Sequence, residues 1–414
     1  MKITMIALGS TGDVRPFILL GKELSSRGHA ITIAAFSRFA RDVSEAGFRF
    51  FPLCGDAESF ISRVMQPGSN ALTYLPHVER ELKHVAPLLI SDLCQSCEDT
   101  DALICNFFGS VYYSIAEKYN IPCIQTYYFP MDPNREIPMS TFRNQRMAPW
   151  MNLASYKMGY FLLGTAEKHF LNTWRKENSL SLRKPDTAPD YRIGSHIVPV
   201  VYAISPQFIP RPKEWNEHIY MSGFWFDDHP EPWSPPESLQ QFLSSGSQPV
   251  YIGFGSMKNK YVSRLLTVVL RALHATGIRA VIATGWNGRN LKSTRQVYFI
   301  DYIPHDWLFP KVLAVVHHGG AGTTAAGLRY GRPTLILPFG GDQSFWGYHI
   351  HRSGCGPRPI PCQRVSVENL TKALLKLVGK PEYRLTAEKL GEAIRQENGT
   401  CRAADLIEKE ITGW

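Results

Sequence analysis

In 414 residues no apolar run reaches the roughly 18 positions of a membrane-spanning helix, so no transmembrane segment is expected. Eight cysteines are too few for a disulfide framework in a chain of this length. The close pair Cys94 and Cys97 has no second CxxC to complete a zinc site. Reduced thiols in a cytosolic protein, with no metal, are the expectation. The formal net charge is +9, yet no long Lys/Arg block stands out. That pattern fits a solvated surface or an anionic small ligand, and nucleic acid is not expected. Low-complexity segments and short-period repeats are also missing, which sets aside solenoid folds. The opening MKITMIALGSTGD is apolar too briefly for a signal peptide and runs into a glycine loop, as a first buried strand would.

What is present is alternation. KITMIAL, the turn GSTGD, a helix predicted from Pro16 to Ser26 and the strand AITIAAF make a βαβ unit. DALICNFF and PCIQTYYF continue it on either side of the helical stretch SVYYSIAEKY. From Asn134 to Pro189 the chain turns helical, basic and aromatic, as helices packed beside a binding cleft would be. Proline-rich stretches such as DDHPEPWSPPES then mark a connection between domains. After it the pattern restarts with QPVYIGFGSM, RAVIATG, QVYFIDYIP, LAVVHHGG and PTLILPFGGD. Two successive α/β halves of roughly 200 residues imply two doubly wound, Rossmann-like parallel sheets facing across a cleft. The divisions read from the chain are 1–215, 216–395 and a C-terminal helix, 396–414, returning toward the first domain. The sequence from about Val367 onward reads as one charged surface helix.

In such sheets ligands bind beyond the carboxyl ends of the strands. Gly319, Gly320 and Gly322 follow a strand and precede a helix. Glycine lets backbone approach a ligand, and a helix N-terminus offers unpaired N–H groups with about half a positive charge. Together they make an anion site, most naturally for a diphosphate. Thr323 and Thr324 carry hydroxyls for the same oxygens, and His318 a ring donor. A rival reading exists: Gly320, Gly322 and Ala325 match G-x-G-x-x-A, with Asp342 20 positions beyond Gly322. That imitates a dinucleotide fingerprint and would suit an NAD-dependent oxidoreductase. Against it stand the loop's late position, His318 before it, and Gln343 beside Asp342.

The run DYIPHDWLFPKVLAVVHHGGAGTTAAGLRYGRPTLILPFGGDQ resembles the donor-binding region of nucleotide-sugar-dependent glycosyltransferases of the GT-B fold, above all the sterol 3-β-glucosyltransferases. GSTGDVRPFILLGKELSSRGH is similar to the same family and to bacterial antibiotic glycosyltransferases. The likeness covers both domains and is weakest from Tyr127 to Pro189. It implies that His318, Gly320, Gly322, Thr323 and Thr324 hold a donor diphosphate, and that Ser256 meets it from the facing strand end. It places Tyr302 and Ile303 against the uracil ring, and Asp342 and Gln343 on the sugar hydroxyls, as a carboxylate and an amide suit a polyol. Plant small-molecule members have a ribose-binding glutamate where this chain has Ala326; the sterol branch has a small residue there. The co-substrate implied is UDP-glucose, with no further cofactor.

Transfer of a sugar to an alcohol needs a base for the hydroxyl proton, and Asp13 stands at the tip of the first strand facing the cleft. The resemblance puts the base there too, with inversion at the anomeric carbon. As a purely structural alternative, Asp13 would cap the helix starting at Pro16. Tyr127, Tyr128, Phe129 and Met131, after the strand QTYYF, either line an apolar acceptor pocket or pack in the core. PMDPNREIP departs from the Trp-Thr-Arg-Thr-like stretch of the sterol branch, so a terpenoid or polyketide alcohol fits as well as a sterol. The reading is an inverting hexosyltransferase acting on a lipophilic hydroxyl. An epimerase of the same fold and a non-catalytic nucleotide-sugar-binding protein are its other rivals. A monomer or weak dimer is expected, cytoplasmic, with peripheral contact at a membrane favoured by a lipid acceptor.

Overall fold

The computed structural model describes residues 1–55, 86–106, 109–140, 145–183, 191–228, 230, 232–255, 260–284 and 291–414. The first domain is built on β1 (Lys2–Ile6), β2 (Ala30–Phe36), β3 (Arg49–Leu53), β4 (Ala102–Asn106) and β5 (Cys123–Tyr127). A small antiparallel pair follows, β6 (Arg192–Ile193) and β7 (His196–Ile197), and then β8 (Val200–Tyr202) and β9 (Ile219–Met221). The large sheet is parallel, in the order β3-β2-β1-β4-β5-β8-β9. Its edge strand β9 lies beyond residue 215, where the sequence alone divides the chain. Covered on both faces, β4 is buried throughout and β1 at every position but Lys2, so neither alternates buried with exposed residues.

The second domain holds β10 (Val250–Gly253), β11 (Ala280–Ala283), β12 (Val297–Ile300), β13 (Val315–His317) and β14 (Thr334–Ile336). They too are parallel, in the order β12-β11-β10-β13-β14. Strand order reverses between β1 and β4 in one sheet and between β10 and β13 in the other. At such a switch point the flanking loops part and leave a crevice. The loops after β1, β10 and β13, which carry the glycine motifs, are therefore the ones that open into it.

Two helix boundaries differ from expectation. The first helix starts at Thr11, not Pro16, because Ser10 is its N-cap. Pro16 lies inside the helix, at its sixth position, where it withholds the hydrogen bond to the Gly12 carbonyl. Phe17, Leu20 and Leu24 bury one face of it, each contributing roughly 1.5–3 kcal/mol of transfer free energy. The C-terminal stretch is three helices, Val367–Gly379, Pro381–Arg395 and Gly399–Thr412. Pro381 and the left-handed Asn398 (φ 49°) divide them.

The last helix crosses back to the first domain. Ala403, Ala404, Ile407 and Ile411 join that domain's core. Arg27, at the end of the first helix, donates to Asp405 at 2.6 Å and Glu408 at 2.7 Å. Phe208, beyond β8, stacks on Trp346 of the second domain with centroids 6.3 Å apart, and Phe224 lies 6.2 Å from the same indole. Trp346 is fully buried in this inter-domain cluster. Among the described residues no helix is long and apolar enough to cross a membrane.

Candidate functional site

On the first-domain wall stands Asp13, at N3 of the helix Thr11–Ser26. Ser10 and Asp13 form a capping box: Gly12 N donates to Ser10 Oγ at 3.2 Å, and Ser10 N donates to Asp13 Oδ2 at 2.6 Å. Ser10 Oγ reaches the same Oδ2 at 3.0 Å. The second oxygen, Oδ1, has no hydrogen bond among the described residues. Burial pushes the Asp13 carboxyl up to about 6, opposed by the two Ser10 donors and Arg38. Gly9, at φ +150°, makes room: a Cβ there would collide with Oδ2. Capping therefore occupies one oxygen of Asp13 and leaves the other without a partner among the described residues.

The opposite wall is the β13 loop. The helix Ala321–Arg329 has Gly320 as N-cap and no side-chain cap. Its first intrahelical bond runs from Thr324 N to Gly320 O at 3.0 Å, so the N–H groups of Ala321, Gly322 and Thr323 lack helical partners. The His318 ring is wedged between two glycine turns. A Cβ on Gly320 would stand 2.6 Å from its Nε2, and one on Gly255 would stand 2.9 Å from its Cε1. Gly255 follows β10, so the ring bridges the two strands at the switch point. Burial holds His318 down to about 4 against the Gly253 carbonyl, so the imidazole is neutral at pH 7. Its Nδ1 is buried without a protein partner. His317 points into the core, where its Nδ1 accepts from Gly319 N at 3.0 Å.

Thr324 corrects the sequence reading. Its hydroxyl donates to the Gly320 carbonyl at 2.9 Å and the residue is fully buried. Of the two threonines only Thr323 presents its side chain at the partly open face. Ser256 lies outside the described residues.

Asp342 and Gln343 begin the helix Gln343–Arg352 beyond β14. Asp342 Oδ2 accepts from Trp346 Nε1 at 2.7 Å. Burial raises its carboxyl to about 6, and the charge of Asp13 adds to the rise. Gln343 Oε1 accepts from Phe339 N at 2.7 Å and Gly340 N at 3.3 Å. Two backbone donors fix the amide's orientation and turn its NH₂ outward. The pair is thus an acceptor beside a donor, which matches alternating needs of a sugar's hydroxyls. Tyr302 is exposed after the edge strand β12, while the Ile303 side chain is buried, leaving only backbone for a ligand.

The proposed acceptor residues divide. Tyr127 and Met131 are core: Tyr127 packs 5.5 Å from Tyr202, and Met131 N donates to Tyr202 Oη at 3.0 Å. Tyr128 is buried beside Phe17 and Trp225, and its hydroxyl donates to the Asp13 carbonyl at 3.3 Å. It steadies the Asp13 turn instead of lining a pocket. Phe129 alone keeps a partly exposed side chain. Tertiary packing overrides proximity in sequence here.

Sequence reasoning missed Ser10, Gly9 and Trp346, which hold the two carboxylates in place. The Ser-x-x-Asp spacing of Ser10 and Asp13 is a readable capping signature. Trp346, four residues beyond Asp342, is one helical turn away, though only the fold shows that its indole turns back. Among the described residues no three His, Cys, Asp or Glu side chains gather as metal ligands.

Residues 3–138 match the glycosyltransferase family 28 N-terminal domain, and residues 281–406 match the erythromycin biosynthesis protein CIII-like C-terminal domain. The chain is 33% identical over 99% of its length to the sterol 3-beta-glucosyltransferase UGT80A2 of Arabidopsis thaliana, covering 66% of that protein. It is 32% identical to UGT80B1 of the same plant, covering 68% of it. The Pichia angusta sterol 3-beta-glucosyltransferase is 31% identical, and the chain spans 33% of its length. The chain thus spans about two thirds of the plant relatives and a third of the fungal one. Among solved structures, the glycotransferase of kitacinnamycin superposes with a TM-score of 0.71 at 18% identity, covering 99% of this chain and 98% of that one. Glycosyltransferase VinC, solved in complex with dTDP, gives 0.68 at 15% identity over 99% of each chain. The fold is GT-B. These likenesses give no support to the dinucleotide reading of the glycine loop, which in any case follows the fourth strand of its sheet, not the first.

Proposed function

This chain belongs to the sterol 3-beta-glucosyltransferase family of GT-B enzymes, and we propose that it transfers glucose from UDP-glucose to the hydroxyl of a lipophilic acceptor, inverting the anomeric carbon. The observation that supports the reading is the division of labour on Asp13: Oδ2 is tied to Ser10, while Oδ1 has no hydrogen bond among the described residues. The acceptor hydroxyl attacks the anomeric carbon as Oδ1 takes its proton. The bond from that carbon to the diphosphate oxygen breaks on the opposite side. A base poised near pH 6 is ionised at neutral pH yet still basic enough to act, a contribution of roughly 10²–10⁴-fold.

The leaving diphosphate gains negative charge, and the free N–H groups of Ala321, Gly322 and Thr323 oppose it. Thr323 adds a hydroxyl. Neutral His318 has one ring hydrogen, so it donates to the diphosphate only by giving up the bond to the Gly253 carbonyl, without the cost of a buried charge. Asp342 and the outward NH₂ of Gln343 fix the hexose; Tyr302 and the backbone at Ile303 receive the base.

The test is incubation with a panel of sugar nucleotides and lipophilic alcohols, read by mass spectrometry. A glycosylated alcohol formed from UDP-glucose supports the reading. UDP-sugar isomerised without acceptor would replace it with an epimerase, and binding without turnover would leave only a carrier.

A further inference from the structure

The helix Pro149–Glu177 is turned inside out. Its buried side carries hydrogen-bonded polar groups: Asn152 Nδ2 donates to Arg135 O at 2.8 Å, and Ser155 Oγ accepts from Met139 N at 2.8 Å. The Tyr156 hydroxyl accepts from Asn134 Nδ2 at 3.0 Å, and Arg175 reaches Ser114 Oγ at 2.7 Å and Glu117 at 2.9 Å. The outward side carries Trp150, Met151, Met158 and Phe161, exposed by 67%, 39%, 49% and 52%. Positions 150, 154, 158 and 161 recur at helical spacing and make one apolar stripe, with Lys157 at its border. A water-facing helix normally shows the reverse, and a contiguous apolar patch of this kind marks an interaction surface.

Charge identifies the partner. From Gln145 to Ala166 the sequence holds Arg146 and Lys157 and neither Asp nor Glu. Trp, Phe and Met beside cations, with no anion among them, is the composition of a surface that lies in an anionic lipid interface. The position is apt as well. Arg146, just before the helix, sits 5.9 Å over the ring of Tyr348, on the helix that begins with Asp342 and Gln343. The stripe therefore starts beside the mouth of the cleft.

We propose that this stripe docks the protein on an anionic membrane surface, with Trp150 and Phe161 entering the interface, so that the cleft opens toward lipid. This rests on the proposed transfer to a lipophilic acceptor for its purpose, but not for its readout. The experiment is flotation of the full chain with phosphatidylcholine vesicles containing about 30% phosphatidylglycerol, with no donor or acceptor present. Wild-type protein should float with the vesicles, less at high salt, and the W150S/F161S variant should partition at least about tenfold more weakly. UDP affinity and transfer to a water-soluble alcohol should be unchanged in the variant. These two measurements separate failure of docking from failure of the transfer reading. Wild-type protein that stays with the solvent, or a variant that floats equally well, overturns the proposal. So does a concentration-dependent dimer of the wild type that the variant loses, which would assign the stripe to a second copy of the chain.

Discussion

Asp13 and Asp342 hang from different sheets, yet the charge of the first raises the carboxyl of the second. The two acids therefore address one space between the domains, each with one oxygen tied down, Asp13 by Ser10 and Asp342 by Trp346.

Asp13→Asn should keep UDP affinity within about twofold, while transfer falls by roughly 10²–10⁴-fold. The wild-type kcat/KM should drop below pH 6, by about tenfold per unit, because the protonated base is inactive. A flat profile between pH 5 and 7 would remove Asp13 from the mechanism.

Gly9→Ala should act like a weak version of that change. The new Cβ, at φ +150°, collides with Asp13 Oδ2 and must displace the carboxylate. Steady-state kinetics should show kcat lowered with KM for UDP-glucose little altered. Unchanged kcat would mean that the Ser10–Asp13 geometry is not required.

Thr323→Val and Thr324→Val should separate the two threonines. The first should weaken UDP binding in a calorimetric titration and leave stability alone. The second loses a buried hydroxyl that donates to Gly320, and should cost about 0.5–1.5 kcal/mol of folding stability. Its effect on UDP should be the smaller. His318→Ala should weaken UDP more than either.

Trp346→Phe keeps the ring packing against Phe208 but removes the donor to Asp342 Oδ2. KM for UDP-glucose should rise while the affinity for UDP, which has no sugar, stays the same. Equal loss for both ligands would show a wider disturbance of the inter-domain cluster.

Tyr202→Phe tests a buried network in the first domain. The Tyr202 hydroxyl donates to Asp132 Oδ2 at 2.5 Å and accepts from Met131 N and Asp132 N. Its loss should destabilise the fold by about 1–3 kcal/mol in denaturant titration. Asp132 is raised to about 6 by burial, so between its unfolded value near 4 and about 6 the folded state binds more protons. Stability therefore falls as pH rises through that window. Without the tyrosine donor the folded carboxyl rises further, and the fall should extend to higher pH.

Much of this was legible in the chain. Alternation of apolar runs with helical stretches determines two parallel sheets, since a parallel connection needs a crossover helix. A glycine-rich turn before a helix predicts an anion site, since both the bare backbone and the N-terminal N–H groups are local properties. Asp13, His318, Asp342 and Gln343 could be named because each lies at the end of a strand or the start of a helix.

Only the tertiary structure decided the rest, because it depends on what meets a side chain from a distant part of the sequence. Thr323 and Thr324 are neighbours with the same hydroxyl, and the helix turns one to the cleft and the other to the Gly320 carbonyl. Tyr127, Tyr128 and Met131 look like pocket residues until Tyr202, Phe17 and Trp225 close over them. The inverted helix Pro149–Glu177 reads as ordinary mixed polarity until Asn134, Arg135 and Met139 are seen to satisfy its polar face from within. Periodicity gives the angle between side chains on a helix; which side faces water is set by partners that local spacing does not contain.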